Sequence, residues 1–227
     1  MVNGTEPPEK HRLRLVFAKK KQVKYISHLD LALAWERALR RAQMPLAYSQ
    51  GFNPRPKMQF ASGLPLGATG SAEIVDIVLT ASISPEEAQA RISPALPRGI
   101  QLRRVEEVPL KSPTLQQLLR QAEYRVVVET ELPAELLVER IQTLLGATEL
   151  IQTRRRRKKK EAFDLRPWLH DLRLERGGEG EVELWMRLTS GQFGNLRPEA
   201  VLEALGLGGQ WAEIERTRLI FEDSLTN

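Results

Sequence analysis

Arg12-Leu13-Arg14-Leu15-Val16-Phe17 alternates polar and apolar side chains and predicts a strand with one buried face. The period then lengthens. Leu31, Ala34, Trp35, Ala38 and Ala42 recur at i, i+3, i+4, i+7 and i+11, one apolar stripe of a helix opened by Ser27 and running to about Ala42. Arg37, Arg40 and Arg41 fall on its other side. Leu46-Ala47-Tyr48-Ser49 and Lys57-Met58-Gln59-Phe60-Ala61 read as short strands around a Pro/Gly loop, and Ile74 to Leu79 reads as a stronger one. Ser84 as cap and Pro85 in the first turn start a helix reaching to about Leu96. A strand from Ile100 to Val108 completes the order β-α-β-β-α-β.

The same order recurs. Tyr124 to Thr130 predicts a strand and Pro133 to Leu145 a helix stopped by Gly146. Leu150 to Arg155 and Phe163 to Glu175 read as strand or loop, Val182 to Leu188 as an alternating strand. A helix follows from Arg197-Pro198-Glu199 to Gly206, and a closing strand from Trp211 to Phe221. The fold class expected is α+β, with two tandem ferredoxin-like domains, each an antiparallel sheet with helices on one face. The boundaries expected are a flexible tail at 1–10, a first domain at 11–111, a linker at 112–122 and a second domain at 123–223.

Composition narrows the chemistry. The 227 residues include no cysteine, which removes thiol catalysis, disulfides and cysteine-held zinc or iron–sulfur clusters from these residues. Three scattered histidines, His11, His28 and His170, suggest no metal site, and no cofactor is expected. No apolar run approaches the ~20 residues that span a bilayer. The amino-terminal stretch lacks the apolar centre of a signal peptide, and the compartment expected is the cytoplasm.

Charge sharpens the picture. Between Arg12 and Lys57 stand eleven Lys/Arg against Asp30 and Glu36. A second run, Arg154-Arg155-Arg156-Arg157-Lys158-Lys159-Lys160, adds seven more. Take the net +9 of the first segment and the seven charges of the run from the chain's +5, and the rest stands at −11. Positive charge sorted in this way attracts polyanions, and RNA is the partner expected.

Four segments are candidates for the contact. Lys19, Lys20, Lys21 and Lys24 form a cationic loop running into a helix N-terminus, a place where phosphate can bind; a capped helix with a solvated loop is the plainer alternative. Metal-independent RNA cleavage needs a base near the 2′-hydroxyl, and His28 is the candidate, with Lys24 or Tyr25 steadying the phosphate. Tyr48, Phe52, Asn53, Arg55 and Lys57 stand on a loop stiffened by Pro54 and Pro56, a combination of flat faces and cations that suits unstacked bases and their phosphates. A buried Phe52 anchoring the loop is the alternative. Arg37, Arg40 and Arg41 extend the cationic surface along the helix, and Arg154, Arg155, Arg156, Arg157 and Lys158 form a separate contact beside Phe163, Arg166, Trp168 and His170. The glycine-rich stretch Gly63 to Ser71 matches no nucleotide-binding pattern and is expected to be a connection, and the glycine loop Ser190 to Pro198, ending at a helix N-terminus, is expected to be an ordinary strand–helix turn, with an anion cradle as the alternative.

Tyr25-Ile26-Ser27-His28-Leu29-Asp30, Arg37-Ala38-Leu39-Arg40-Arg41-Ala42, Pro45-Leu46 and Tyr48-Ser49-Gln50-Gly51-Phe52-Asn53-Pro54 with Pro56-Lys57 resemble a bacterial family, the radical-SAM-linked proteins. The resemblance runs from about Arg12 to Phe221 and includes Asp164-Leu165-Arg166-Pro167 and Leu196-Arg197-Pro198-Glu199. Members of that family occur alone or fused behind a B12-binding-type radical SAM protein, often encoded beside an E/G-type ribonuclease. The resemblance implies an RNA context, ribosomal or transfer RNA, with a radical SAM protein and an E/G-type ribonuclease as partners. The chain lacks the CxxxCxxC set of the radical SAM enzyme itself. The expected tandem fold is also similar to that of CRISPR-repeat RNA endonucleases, which implies His28 as a base, although Gly206-Leu207-Gly208-Gly209 matches their glycine-rich loop poorly. The expectation is therefore a non-catalytic RNA-binding accessory module, with an endoribonuclease as the alternative.

Overall fold

The computed structural model describes residues 10–156 and 159–222, with side chains left out at 154–161. Two compact units divide the chain, Met1–Gln117 and Leu118–Asn227. In the first, β1 (His11–Lys19) leads to α1 (His28–Arg41), a short β2 (Met58–Phe60), β3 (Thr69–Leu79), α2 (Pro85–Ile92) and β4 (Ile100–Val108). Within this unit the strands pair antiparallel in the order β4-β1-β3-β2.

The alternation in β1 decides the layers. Register sets Leu13 opposite Ile77 and Leu15 opposite Val75, and all four are wholly buried. Leu31, Trp35 and Leu39 of α1 and Ala88 and Ile92 of α2 join the same cluster, so both helices cover one face of the sheet. The Trp35 ring meets Phe17 edge to face at 4.9 Å. Each such side chain taken wholly out of water contributes about 1.5–3 kcal/mol.

The opposite face of β1 carries charge. Asp76 on β3, buried, stands opposite Arg14 in the register. It accepts Arg14 Nε at 2.9 Å and Arg12 Nε at 2.9 Å, and Arg12 also donates to the Ser112 carbonyl at 2.8 Å. Two arginines of β1 thus satisfy one buried carboxylate of β3, and Arg12 ties down the chain leaving β4. These two arginines belong to the sheet and leave the pool of cations counted on the sequence.

Helix α1 begins where expected. Ser27 Oγ accepts the Asp30 N–H at 3.1 Å and donates to the Asp30 carboxylate at 2.7 Å. It ends in a Schellman motif without glycine: Gln43 takes φ 53, its N–H bonds the Arg40 carbonyl at 3.0 Å, and the Met44 N–H bonds the Leu39 carbonyl at 3.1 Å.

A short helix, α3 (Leu115–Leu118), leads into the second unit: β5 (Leu119–Glu129), α4 (Ala134–Gly146), β6 (Ile151–Arg156), β7 (Lys159–Asp164), β8 (Leu169–Gly177), β9 (Glu181–Thr189), α5 (Pro198–Ala204) and β10 (Ala212–Phe221). Its sheet runs β10-β5-β9-β8, antiparallel throughout, while β6 and β7 form their own two-stranded sheet. Tyr124, Val126 and Val128 face Met186, Leu184 and Val182 across β5 and β9, all buried. Leu137, Ile141 and Leu144 of α4 and Val201 and Leu202 of α5 are buried as well.

Several expectations shift. The linker expected at 112–122 ends early, since β5 begins at Leu119, which is wholly buried. Helix α2 stops at Ile92, where Ser93-Pro94-Ala95 turns into a 3-10 helix. The segment around Leu46 to Ser49 forms isolated bridges, Leu46 to Leu79 and Tyr48 to Pro56, in place of a strand. The end of the glycine-rich stretch, Thr69 to Ser71, belongs to β3. The tail expected at 1–10 lies outside the described residues apart from Lys10. Among the described residues no helix is long and apolar enough to cross a membrane.

Asp76→Ala leaves the buried Arg12 guanidinium without its carboxylate and lowers stability by about 3–5 kcal/mol in urea denaturation, more than the loss of half-buried Arg14 in Arg14→Ala. Gln43→Gly relieves a left-handed backbone position and raises stability by about 0.5–1 kcal/mol in the same measurement.

Candidate nucleic-acid interface

β1 ends on a lysine whose charge points inward. Lys19 is buried, and its Nζ donates to the backbone carbonyls of Lys24 at 3.0 Å, Ile26 at 3.5 Å and Ala68 at 3.4 Å. Lys19 is therefore corrected from a phosphate contact to a tie between two loops: a buried ammonium is tolerated only where oxygens replace its water. One loop is the lysine-rich segment before α1, the other the glycine-rich segment before β3. The Gly67 N–H adds a bond to the Lys24 carbonyl at 2.9 Å.

Exposed on this tie stand the residues that the sequence grouped. Tyr25 projects into solvent with Lys24 Nζ 5.0 Å above its ring, and its edge passes so near Gly67 that a Cβ there would lie 3.6 Å away. His28, exposed at the first turn of α1, stands edge to face on Phe60 at 5.2 Å and lies beside Gly63. Lys21 is exposed on a 3-10 turn, and Lys20 precedes it. The helix terminus itself is already supplied: Ser27 takes the Asp30 N–H, and the Asp30 carboxylate sits on the first turn. An anion at this end would meet lysines rather than helix N–H groups.

The second group is a small hairpin. Ser49 and Arg55 close it, with the Ser49 N–H bonded to the Arg55 carbonyl at 2.9 Å and the Arg55 N–H bonded to Ser49 Oγ at 3.0 Å. The Lys57 N–H bonds the Ala47 carbonyl at 2.7 Å, which pins the base of the hairpin beside β3. Gly51 at φ 124 turns the tip. There Phe52 is fully exposed, so the reading of Phe52 as a buried anchor is corrected: the tip stands clear of every core residue. Asn53 and Arg55 are exposed beside it. Lys57, exposed, borders a cleft of 270 Å³ that also takes in Arg12 and Asp76.

Helix α1 lies between the two groups. It spans about 21 Å at 1.5 Å per residue, with His28 at one end and Arg40, 5.8 Å from the Tyr48 ring, at the other. Arg40 also pairs with Glu36 at 2.8 Å, and Arg41 donates to the Ala95 carbonyl at 2.6 Å. The candidates accordingly form two clusters at the two ends of α1 rather than one patch. Arg37 is exposed on the helix between them.

The second basic segment lies on β6 and β7, Arg155 opposite Lys160 in the register. Arg157 and Lys158 lie outside the described residues, as do the side chains of Arg154, Arg155 and Arg156. Neighbouring residues prove structural. Asp164 Oδ1 accepts the N–H groups of Leu150 at 2.8 Å and Arg166 at 2.9 Å, closing the base of that hairpin. Arg166 donates to the carbonyls of Ala147, Leu169 and Leu145, which caps the end of α4. His170 Nε2 meets Thr189 Oγ1 at 2.9 Å, and its pKa lies below the ordinary histidine range, first through partial burial and then through the charges of Arg187 and Arg166.

The exposed leucines of α1 went unread in the sequence. Leu29 and Leu33 are exposed, one turn apart, on the ridge that continues to Arg37. The signal was present, since both fall outside the i, i+3, i+4 stripe. Among the described residues no group of three or more acidic or histidine side chains is arranged to hold a metal ion.

The sequence profile of a family described as "Uncharacterized protein conserved in bacteria (DUF2344)" matches residues 12–198. No curated protein matches the chain. Among solved structures, a Cbf5–Nop10–Gar1 complex is similar over 92% of this chain and 48% of that chain, at 14% identity and a TM-score of 0.52. An H/ACA RNP bound to a substrate RNA containing 2′-deoxyuridine aligns over 92% of this chain and 47% of that one, at 13% identity and a TM-score of 0.49. An unknown protein from Galdieria sulphuraria aligns over 92% and 99%, at 16% identity and a TM-score of 0.29. The chain thus spans about half the length of the first two, and the likeness to the Cbf5 complex is one of fold.

Lys19→Met removes the tie between the loops, and amide exchange at Lys24 and Gly67 accelerates well beyond that at the centre of β1. For His170 the unfolded chain titrates near the usual ~6.5 and the folded one lower, so the unfolded state holds more protons between the two values. Its contribution to stability is complete above ~6.5 and falls as pH drops through that window. His170→Gln therefore flattens the dependence of the urea midpoint on pH between about 7.5 and 5.5 relative to the parent.

Proposed function

From the premise that the chain belongs to the uncharacterised bacterial family DUF2344, we propose that it is an RNA-binding accessory module that is not itself an enzyme. The observation that carries this reading is Phe52, a phenylalanine held fully in water at the tip of a hydrogen-bonded hairpin that also exposes Arg55. A flat ring and a guanidinium exposed on the same hairpin suit an unstacked base and its phosphate. The lysine loop before α1 and Arg37 on its ridge supply further phosphate contacts. The cationic clusters at both ends of α1 suit a structured RNA, ribosomal or transfer, which presents loops and backbone together.

The partner we assign is a radical SAM protein, on the strength of the sequence resemblance, with an E/G-type ribonuclease as a further member of the assembly. A chain without cysteine leaves the iron–sulfur cluster to that partner. The expected compartment is the cytoplasm. The domain reading we favour is two ferredoxin-like units: both sheets run in the order last, first, third, second, with the β6–β7 hairpin inserted in the second. The alternative function, a metal-independent endoribonuclease, draws on the exposure of His28 beside the loop that carries Lys24 and Tyr25.

Fluorescence anisotropy with total transfer RNA over a series of salt concentrations tests the reading. Arg55→Ala with Lys57→Ala weakens binding and reduces the slope of log K against log salt by roughly one to two, one for each lost phosphate contact. An unchanged slope removes the hairpin from the interface. The same samples, incubated in EDTA and run on a gel, separate the two functions: cleavage lost in His28→Ala establishes the nuclease, and intact RNA the module.

A further inference from the structure

The second unit carries another aromatic ring held in water. Phe193, well exposed, stands in the turn that leaves β9. Two glycines fix that turn. At Gly191, with φ 119, an added Cβ would sit 2.6 Å from the Leu119 carbonyl oxygen, so the backbone there lies directly on the start of β5. At Gly194 an added Cβ would reach within 3.3 Å of the Trp168 ring and of Thr189, so the other side of the turn lies on that ring. The Leu196 N–H bonds the Thr189 carbonyl at 3.0 Å and closes the segment. Phe193 is thus displayed by a turn clamped on both flanks.

Its surroundings are cationic and aromatic. The Arg120 guanidinium lies 4.5 Å from the Phe193 ring centroid while also pairing with Glu222 at 2.6 Å. Trp168, against which the turn rests, is edge to face with Phe163 at 5.6 Å. His170 stands on Thr189 next to the same turn, in the positive field of Arg187 and Arg166. The side-chain donors of Arg166 are bonded to backbone carbonyls, which leave its charge in place.

We propose that the Gly191–Gly194 turn is a nucleobase-stacking site for single-stranded RNA, in which Phe193 takes an unpaired base on its open face while Arg120 covers the other. A guanidinium on one face of a ring, in a positive field, favours an electron-rich aromatic ligand attached to phosphate over an apolar protein side chain. Because a duplex keeps its bases stacked inside, the site selects single strands. This inference rests on the reading that the chain binds RNA and adds to it a second contact, on a different unit from the Phe52 hairpin.

The test is anisotropy with two probes, a fluorescein-labelled oligouridylate and a fully paired RNA duplex, on the full chain. Phe193→Ala weakens oligouridylate binding about ten-fold or more, Phe193→Tyr keeps it, and duplex binding changes little in either. Matching thermal midpoints for parent and variants establish that the fold is intact, as expected for an exposed side chain. Phe193→Ala that binds oligouridylate like the parent, while Arg55→Ala with Lys57→Ala is weakened, overturns the stacking site and leaves RNA binding standing. Equal loss on both probes also overturns it, since a duplex offers no free base. A parent protein that binds neither probe overturns the RNA reading and this site with it.

Discussion

Lys19 leaves the end of β1 with its ammonium turned into the protein, where the carbonyl oxygens of Lys24, Ile26 and Ala68 receive it. Removing a lysine from water is costly unless oxygen atoms take the place of the lost hydration. The carbonyls can do so only if the loop before α1 and the loop before β3 are both in place. One buried charge thereby couples two segments more than forty residues apart, and it sets the positions of Tyr25 and His28. Exposed Lys21 and half-buried Lys20 and Lys24 stand on a frame that a buried lysine holds.

The same logic governs the other face of the sheet. Asp76 recruits Arg12 and Arg14, and Arg12 reaches on to Ser112. Cations therefore serve two purposes in the first unit. Arg12, Arg14 and Lys19 face a carboxylate or carbonyls and organise the fold, while Arg55 and Lys57 of the hairpin are exposed. Charge counted along the chain does not separate these classes. The quantity that does is the set of oxygen atoms that folding brings within reach of each nitrogen.

Aromatic residues divide in a similar way. Phe17 and Trp35 pack edge to face in the core, while Phe52 and Phe193 stand in water on turns held by hydrogen bonds or glycine contacts. A ring kept out of the core by a stiff turn forgoes about 1.5–3 kcal/mol of burial. Both units display such a ring, and at Phe193 the Arg120 guanidinium lies 4.5 Å from the ring centroid.

Much of the element order was legible in the chain itself. The alternation of β1, the stripe of α1 and the Ser-capped starts of α1 and α2 are local patterns whose period matches the backbone geometry, so residues near in sequence suffice to specify them. The mixed α+β class follows from that order. Tertiary structure alone decided which cations are spent on the fold. Lys19 and Lys20 are neighbours with the same chemistry, and only the arrival of Ala68 beside β1 makes the first a buried tie. Tertiary structure also decided that Phe52 stands clear and that the candidates gather at two ends of α1, because a side chain's exposure depends on what distant segments pack beside it. Periodicity carries information over a few residues; burial and charge pairing are settled by contacts across the whole unit.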